Sequence, residues 1–142
     1  MSRILLVDDD PLIRSSVMVW LQRHGHDVVT AECGVTGLDK LRQSRFDLMI
    51  VDIFMPHMRG FESVRVFHQS APTTPLVAIS GYVFAENTSP VPDFLRMALE
   101  LGASRCLRKP FTPKQLMQVV DACLAEHSHS QPDLPLAQHI TL

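Results

Sequence analysis

Three short apolar runs in this chain each end in a polar group and a fourth short segment reaches a lysine, and no other feature limits the fold as much. Arg3-Ile4-Leu5-Leu6-Val7 runs into Asp8-Asp9-Asp10, Leu48-Met49-Ile50-Val51 into Asp52, Leu76-Val77-Ala78-Ile79 into Ser80, and a segment through Cys106-Leu107 reaches Lys109. If the runs are parallel strands of one sheet, these polar groups emerge along one edge. Ligands of open α/β sheets bind outside the carboxyl ends of the strands. Clustered carboxylates facing one lysine and one hydroxyl suit a divalent cation and a phosphoryl group.

Periodicity supplies the remaining elements. Strands are expected at about 3–8, 27–32, 47–52, 76–80 and 104–108. Asp10-Pro11 reads as a helix start, an acidic N-cap followed by proline at the first helical position. The helix it opens carries Ile13, Val17, Trp20 and Leu21 on one face and ends near Gly25. Further helices are predicted from Gly34 to Arg45, through Phe61, Val64 and Phe67, from Phe94 to Leu101 with Gly102 closing it, and over about 112–126. Five strands, each followed by a helix, predict a parallel sheet covered on both faces. The chain divides into a domain over residues 1–127 and a flexible C-terminal tail over residues 128–142, which has two prolines and little periodicity.

Composition removes other classes. A chain of 142 residues with 46% hydrophobic content suits one domain with one core. A net charge of −2 predicts no general affinity for nucleic acid or anionic membrane. The apolar runs are strand-sized, so nothing spans a bilayer and no secretory signal is evident. Cys33, Cys106 and Cys123 are widely spaced and odd in number, which speaks for a reducing compartment and against a disulfide framework or zinc site. A cytoplasmic protein is expected.

Four motifs carry a resemblance: the acidic pair Asp8-Asp9, the segment from Asp52 through Met55-Pro56 to Gly60, the strand-ending Ser80, and Lys109-Pro110-Phe111. Each is weak alone; together, in order and at strand ends, they resemble the receiver domain of two-component response regulators over about residues 2–126. The resemblance implies a flavodoxin-like, doubly wound five-stranded parallel sheet. It implies that Asp52 accepts a phosphoryl group from a histidine kinase or histidine phosphotransfer protein with Mg²⁺ as cofactor. Asp9, Asp52 and the backbone carbonyl of Phe54 would be direct metal ligands, and Asp8 would act mainly through a metal-bound water. Lys109 would meet the phosphoryl oxygens and Ser80 would donate its hydroxyl. The Lys-Pro bond is often cis in this family, which would fix Lys109 over the site. The chain would catalyse only its own phosphorylation and dephosphorylation and signal to a downstream protein. Neither nucleic acid nor membrane is expected as a direct partner. Met1 just before the first strand favours a complete small protein over a module of a hybrid kinase.

Plainer readings suit several residues. Asp10 is a helix N-cap before it is a ligand. Lys109 without Pro110 would be a surface lysine, and Ser80 without its strand-end position a loop cap. His24 and His26 flank a turn and are expected to be solvated. His127, His129 and His139 lack a preorganised metal site. Met49, Met55 and Met58 fill core or loop space, and Trp20 is expected in the core.

The chain also departs from commoner receivers. Phe54 and Tyr82, the latter beside Gly81, place bulky rings where an attacking water would pass. Cys106 stands where an aromatic residue usually turns inward on phosphorylation. The stretch from Ser80 to Lys109 is longer than usual, with the excess in residues 83–93 around Pro90 and Pro92. Signalling through that loop is therefore expected in place of the aromatic switch.

Two rivals differ in class. A phosphatase of the haloacid dehalogenase type would use Asp8 and Asp10 as its Asp-x-Asp motif, with Ser80 and Lys109. It leaves Asp52 and Met55-Pro56 unexplained, and Asp121, in a helical pattern, cannot supply its last acidic residue. A pseudo-receiver that only binds a partner is disfavoured because every phosphorylation residue is present.

Overall fold

The computed structural model describes residues 2–55, 58, 62–81 and 94–130, with backbone only at 94, 95 and 127–130. Strands and helices alternate: β1 (Arg3–Val7), α1 (Pro11–Arg23), β2 (Asp27–Ala31), α2 (Gly34–Gln43), β3 (Leu48–Asp52), α3 (Glu62–Ser70), β4 (Leu76–Ser80), α4 (Phe94–Glu100), β5 (Arg105–Arg108) and α5 (Pro113–Ser130). All strand pairs are parallel, in the order β2-β1-β3-β4-β5. The expected doubly wound sheet is therefore present.

The interiors of the central strands are apolar because both faces are covered. Along β1, Ile4 and Leu6 face one core with Val17 and Leu21 of α1 and Leu116, Val120 and Cys123 of α5. Leu5 and Val7 face the other core, with Val64 and Phe67 of α3 and Ala98 of α4, where Leu38 and Leu41 of α2 pack as well. β3 and β4 alternate in the same way: Ile50 and Val77 join the first core, Val51 and Ala78 the second. Truncating a fully buried member such as Leu6 to alanine costs about 2–5 kcal/mol.

Local chemistry sets the helix ends. The Asp10 carboxylate accepts the Leu12 N–H at 2.9 Å, and Pro11 opens α1, as expected. The same helix closes on Gly25 at φ 89°, with the His26 N–H returning to the Leu21 carbonyl. α5 opens on a reciprocal cap, in which Thr112 N–H donates to the Gln115 side chain and Gln115 N–H to the Thr112 hydroxyl. On α2, a Cβ at Gly37 would lie 2.8 Å from Phe67 and 2.9 Å from Val7, so only glycine lets α2 seat this close.

Several expectations need correction. α5 continues through Ser130, past its expected end near residue 126. β2 ends at Ala31 and α2 at Gln43, slightly inside their expected bounds. His26 is half-buried, with Nδ1 shielded and unpartnered, and burial lowers its pKa. Trp20 sits at the core's rim, edge-on to Phe111 with ring centroids 6.3 Å apart. Residues 131–142, the 82–93 stretch with Tyr82, and Pro56, His57, Arg59, Gly60 and Phe61 lie outside the described residues, as do the side chains of His127 and His129. No described helix is long and apolar enough to cross a membrane.

Candidate functional site

The strand order turns four separated segments into one row. β1 and β3 are neighbours, so Asp8 and Asp9 leave the sheet beside Asp52; β4 and β5 follow and bring Ser80 and Lys109. Carboxylate oxygens of Asp8, Asp9 and Asp52 lie within 4.8 Å of one another, the one potential metal-binding group of acidic, histidine and cysteine side chains among the described residues. Asp8 and Asp52 are buried, whereas Asp9 is exposed.

Each buried carboxylate is held by its own loop. Asp8 Oδ1 accepts the Asp10 N–H at 2.9 Å, and the Asp8 carbonyl accepts a guanidinium N–H of Arg14 at 2.7 Å. Asp52 Oδ1 accepts the Phe54 N–H at 3.1 Å. Lys109 Nζ stands between them, 3.2 Å from Asp8 Oδ2 and 3.5 Å from Asp52 Oδ2. Its approach to Asp8 Oδ2 is badly directed for a hydrogen bond, so that oxygen is buried with a countercharge but no aligned donor. Lys109 is itself anchored by donating its backbone N–H to the Ser80 carbonyl at 2.9 Å, and the Lys109-Pro110 bond is cis.

One lysine does not balance three carboxylates, and the titration behaviour follows. Burial, then the Asp8 charge, pushes the Asp52 carboxyl up to about 7, against the pull of Lys109. Burial likewise raises Asp8, even though the Asp10 amide and Lys109 favour its ionised form. Burial alone would lower the Lys109 ammonium, but the Asp52 and Asp8 charges outweigh it and raise it. The lysine therefore stays charged while Asp8 and Asp52 resist ionisation.

The remaining expected residues sit around this centre. Ser80 is buried, and its hydroxyl donates to the Gly81 carbonyl at 3.3 Å, a long bond for a hydroxyl donor. Phe54 and Cys106 are half-buried against the core shared with α2, α3 and α4. Burial lifts the Cys106 thiol to about 11, so it stays protonated at neutral pH. Asp10 is committed to its cap, and Tyr82 lies outside the described residues.

Two further residues hold the backbone of this site without lying at a strand end. Ser63 is fully buried on α3, its hydroxyl donating to the carbonyls of Asp52 at 3.1 Å and Ile53 at 3.3 Å. A serine beside Val64 on an otherwise apolar stripe was the available signal. Arg14 was hidden because only the fold shows that one turn of α1 returns it to the Asp8 carbonyl. A groove of about 510 Å³ between α1 and α5, lined by Trp20, Arg23, Lys114 and Met117, includes none of these site residues.

Comparison with known proteins identifies relatives of this fold. The response regulator receiver domain family matches residues 4–121. The chain is 33% identical over 125 residues to protein PilH of Pseudomonas aeruginosa, covering 88% of this chain and 99% of PilH. It is also 33% identical to a CpxR-homologue transcriptional regulatory protein of Haemophilus influenzae, covering 87% of this chain but 51% of that protein. The chain thus spans about half the length of that regulator. Among solved structures, chemotaxis response regulator CheY4 of Vibrio cholerae superposes with a TM-score of 0.74 at 34% identity, covering 87% of this chain and 98% of that one.

Proposed function

Because the chain belongs to the response regulator receiver domain family of two-component systems, we propose that Asp52 takes a phosphoryl group from a histidine kinase or a histidine phosphotransfer protein, and that the product signals through protein contacts. The observation that carries this reading is the placement of Asp52: buried at a strand end, 3.5 Å from the Lys109 ammonium and clustered with Asp8 and Asp9. An Asp52 carboxylate oxygen forms a bond to phosphorus as the phosphorus–nitrogen bond of the donor breaks, its electron pair leaving with the imidazole. Lys109 meets charge on the transferred oxygens. The Ser80 hydroxyl can exchange its long bond to Gly81 for a charge-assisted one to the phosphoryl group. On this reading the chain catalyses only its own phosphorylation and dephosphorylation.

The donor set fits Mg²⁺. Asp8, Asp9 and Asp52 offer hard oxygen ligands, and the undirected Asp8 Oδ2 is the kind of buried atom a cation or its water satisfies. The family pattern adds the Phe54 carbonyl as a further ligand. Bound there, Mg²⁺ would supply the charge that lets an anionic phosphoryl group approach an anionic carboxylate.

The test is incubation with Mg²⁺ and acetyl phosphate, followed by intact mass and peptide mapping. A single phosphoryl group on Asp52, absent without Mg²⁺ and absent in Asp52→Asn, is the expected result. Labelling at Asp8 in that variant would replace this reading with the phosphatase one.

A further inference from the structure

Among the described residues the buried polar ones are Asp8, Asp52, Ser63 and Ser80. Three of them belong to the site. The fourth, Ser63, lies on α3, where its neighbours Val64 and Phe67 are core residues. Alanine would fill that position without taking a hydroxyl out of water, a step that costs free energy unless the hydroxyl is bonded. Ser63 is bonded, and to a telling place: the Asp52 and Ile53 carbonyls, where β3 leaves the sheet.

The next link reaches the chemistry directly. The Phe54 N–H donates to Asp52 Oδ1, so the backbone of residues 52–54 and the Asp52 carboxylate form one closed turn. Ser63 grips that turn from the buried face of α3. If the two carbonyls are free to tilt, the peptide planes that follow tilt with them. The Phe54 amide then loses its aim at Asp52, and the Phe54 carbonyl, a ligand by the family pattern, shifts with it.

We infer that Ser63 is a positioning residue for the Asp52 centre, its hydroxyl fixing the turn of residues 52–54 in the geometry that binds Mg²⁺ and presents the nucleophile. This inference rests on the proposed phosphoacceptor function of Asp52. The hydroxyl itself touches neither metal nor phosphoryl group.

Two pairs of side chains isolate the hydroxyl from packing. Ser63 against Ser63→Ala differ by the hydroxyl with a small void, and Ser63→Thr against Ser63→Val differ by the hydroxyl at nearly equal volume. Mg²⁺ affinity by calorimetry, Phe54 amide exchange in metal-free protein and thermal midpoint are measured on all four. Loss of the hydroxyl should weaken Mg²⁺ binding about fivefold in each pair and speed Phe54 exchange, the size expected when one net hydrogen bond's worth of positioning is lost. The Ser63→Thr variant should bind Mg²⁺ more tightly than the Ser63→Val variant whatever their midpoints. If the Ala and Val variants lose thermal stability yet bind Mg²⁺ as their hydroxyl partners do, Ser63 is a packing residue and the inference fails. Acetyl phosphate labelling of the wild type is the separate control for the function. An unlabelled wild type with hydroxyl-dependent Mg²⁺ affinity would defeat the phosphoacceptor reading and leave the positioning role standing.

Discussion

Replacing Asp52 by asparagine should make the metal-free domain more stable, and the gain should depend on pH. Asp52 is 3% exposed and faces Asp8, so ionising it in the folded state is opposed by burial and by like charge. The folded carboxyl titrates near about 7 against an ordinary 3.8. At about 1.4 kcal/mol per pH unit, that difference has an upper bound near 4 kcal/mol, and relaxation around a partly hydrated site brings the expected effect to about 2–4 kcal/mol. Between the two values the folded state binds more protons than the unfolded one. Wild-type stability therefore falls as pH rises from about 4 to about 7 and stays low above it. An amide has nothing to ionise, and Lys109 keeps Asp8 as its partner at 3.2 Å. Urea denaturation in EDTA at about pH 5 and about pH 8 reads the difference. The Asp52→Asn variant should exceed wild type by about 2–4 kcal/mol at the higher pH, with most of that gap gone at the lower. Parallel curves, or a variant less stable than wild type at about pH 8, would show that Lys109 fully compensates the buried charge and would refute this account.

Other outcomes follow from the same contacts. Lys109→Met leaves two buried carboxylates without their cation and should cost about 3–5 kcal/mol in metal-free denaturation at neutral pH, partly recovered by acidification or added Mg²⁺. Asp10→Ala removes the α1 cap and should cost about 1 kcal/mol while leaving calorimetric Mg²⁺ affinity unchanged; a large loss of affinity would make Asp10 a ligand. Gly37→Ala should destabilise by about 1–3 kcal/mol because the new methyl meets Phe67 and Val7, and an unchanged denaturation midpoint would mean that α2 shifts freely.

What the sequence made legible was whatever depends on one rule applied locally. Asp8, Asp52 and Ser80 were visible because each ends an apolar strand-sized run, and Lys109 because Pro110 follows it at the end of a shorter segment; the strand-end rule turns these positions into proximity. Asp10-Pro11 was visible because cap and first turn are adjacent in sequence. Ser63 was not, since its partners come from a strand end eleven residues earlier and only the packing of α3 under β3 joins them. The end of α5 was placed too early for a different reason. Its apolar stripe fades after Leu124, but no helix breaker intervenes before Pro132, and a helix already nucleated continues at little cost. His26 was read from its turn, whereas its burial depends on elements remote in sequence, Asp121 of α5 and Asp47 among the charges it feels.

The row of strands also bears on how the domain comes into being. Asp8 and Lys109 meet although they stand near opposite ends of the described chain, and Asp52 joins them only when β1 and β3 have paired. A nascent chain released before β5 would hold two acidic loops without their lysine. Such parallel, non-local pairings form slowly, because loop closure is met before contacts reward it. A cation held by Asp8, Asp9 and Asp52 would need only the β1–β3 pair, so it would relieve the crowded acidic edge before β5 delivers the lysine.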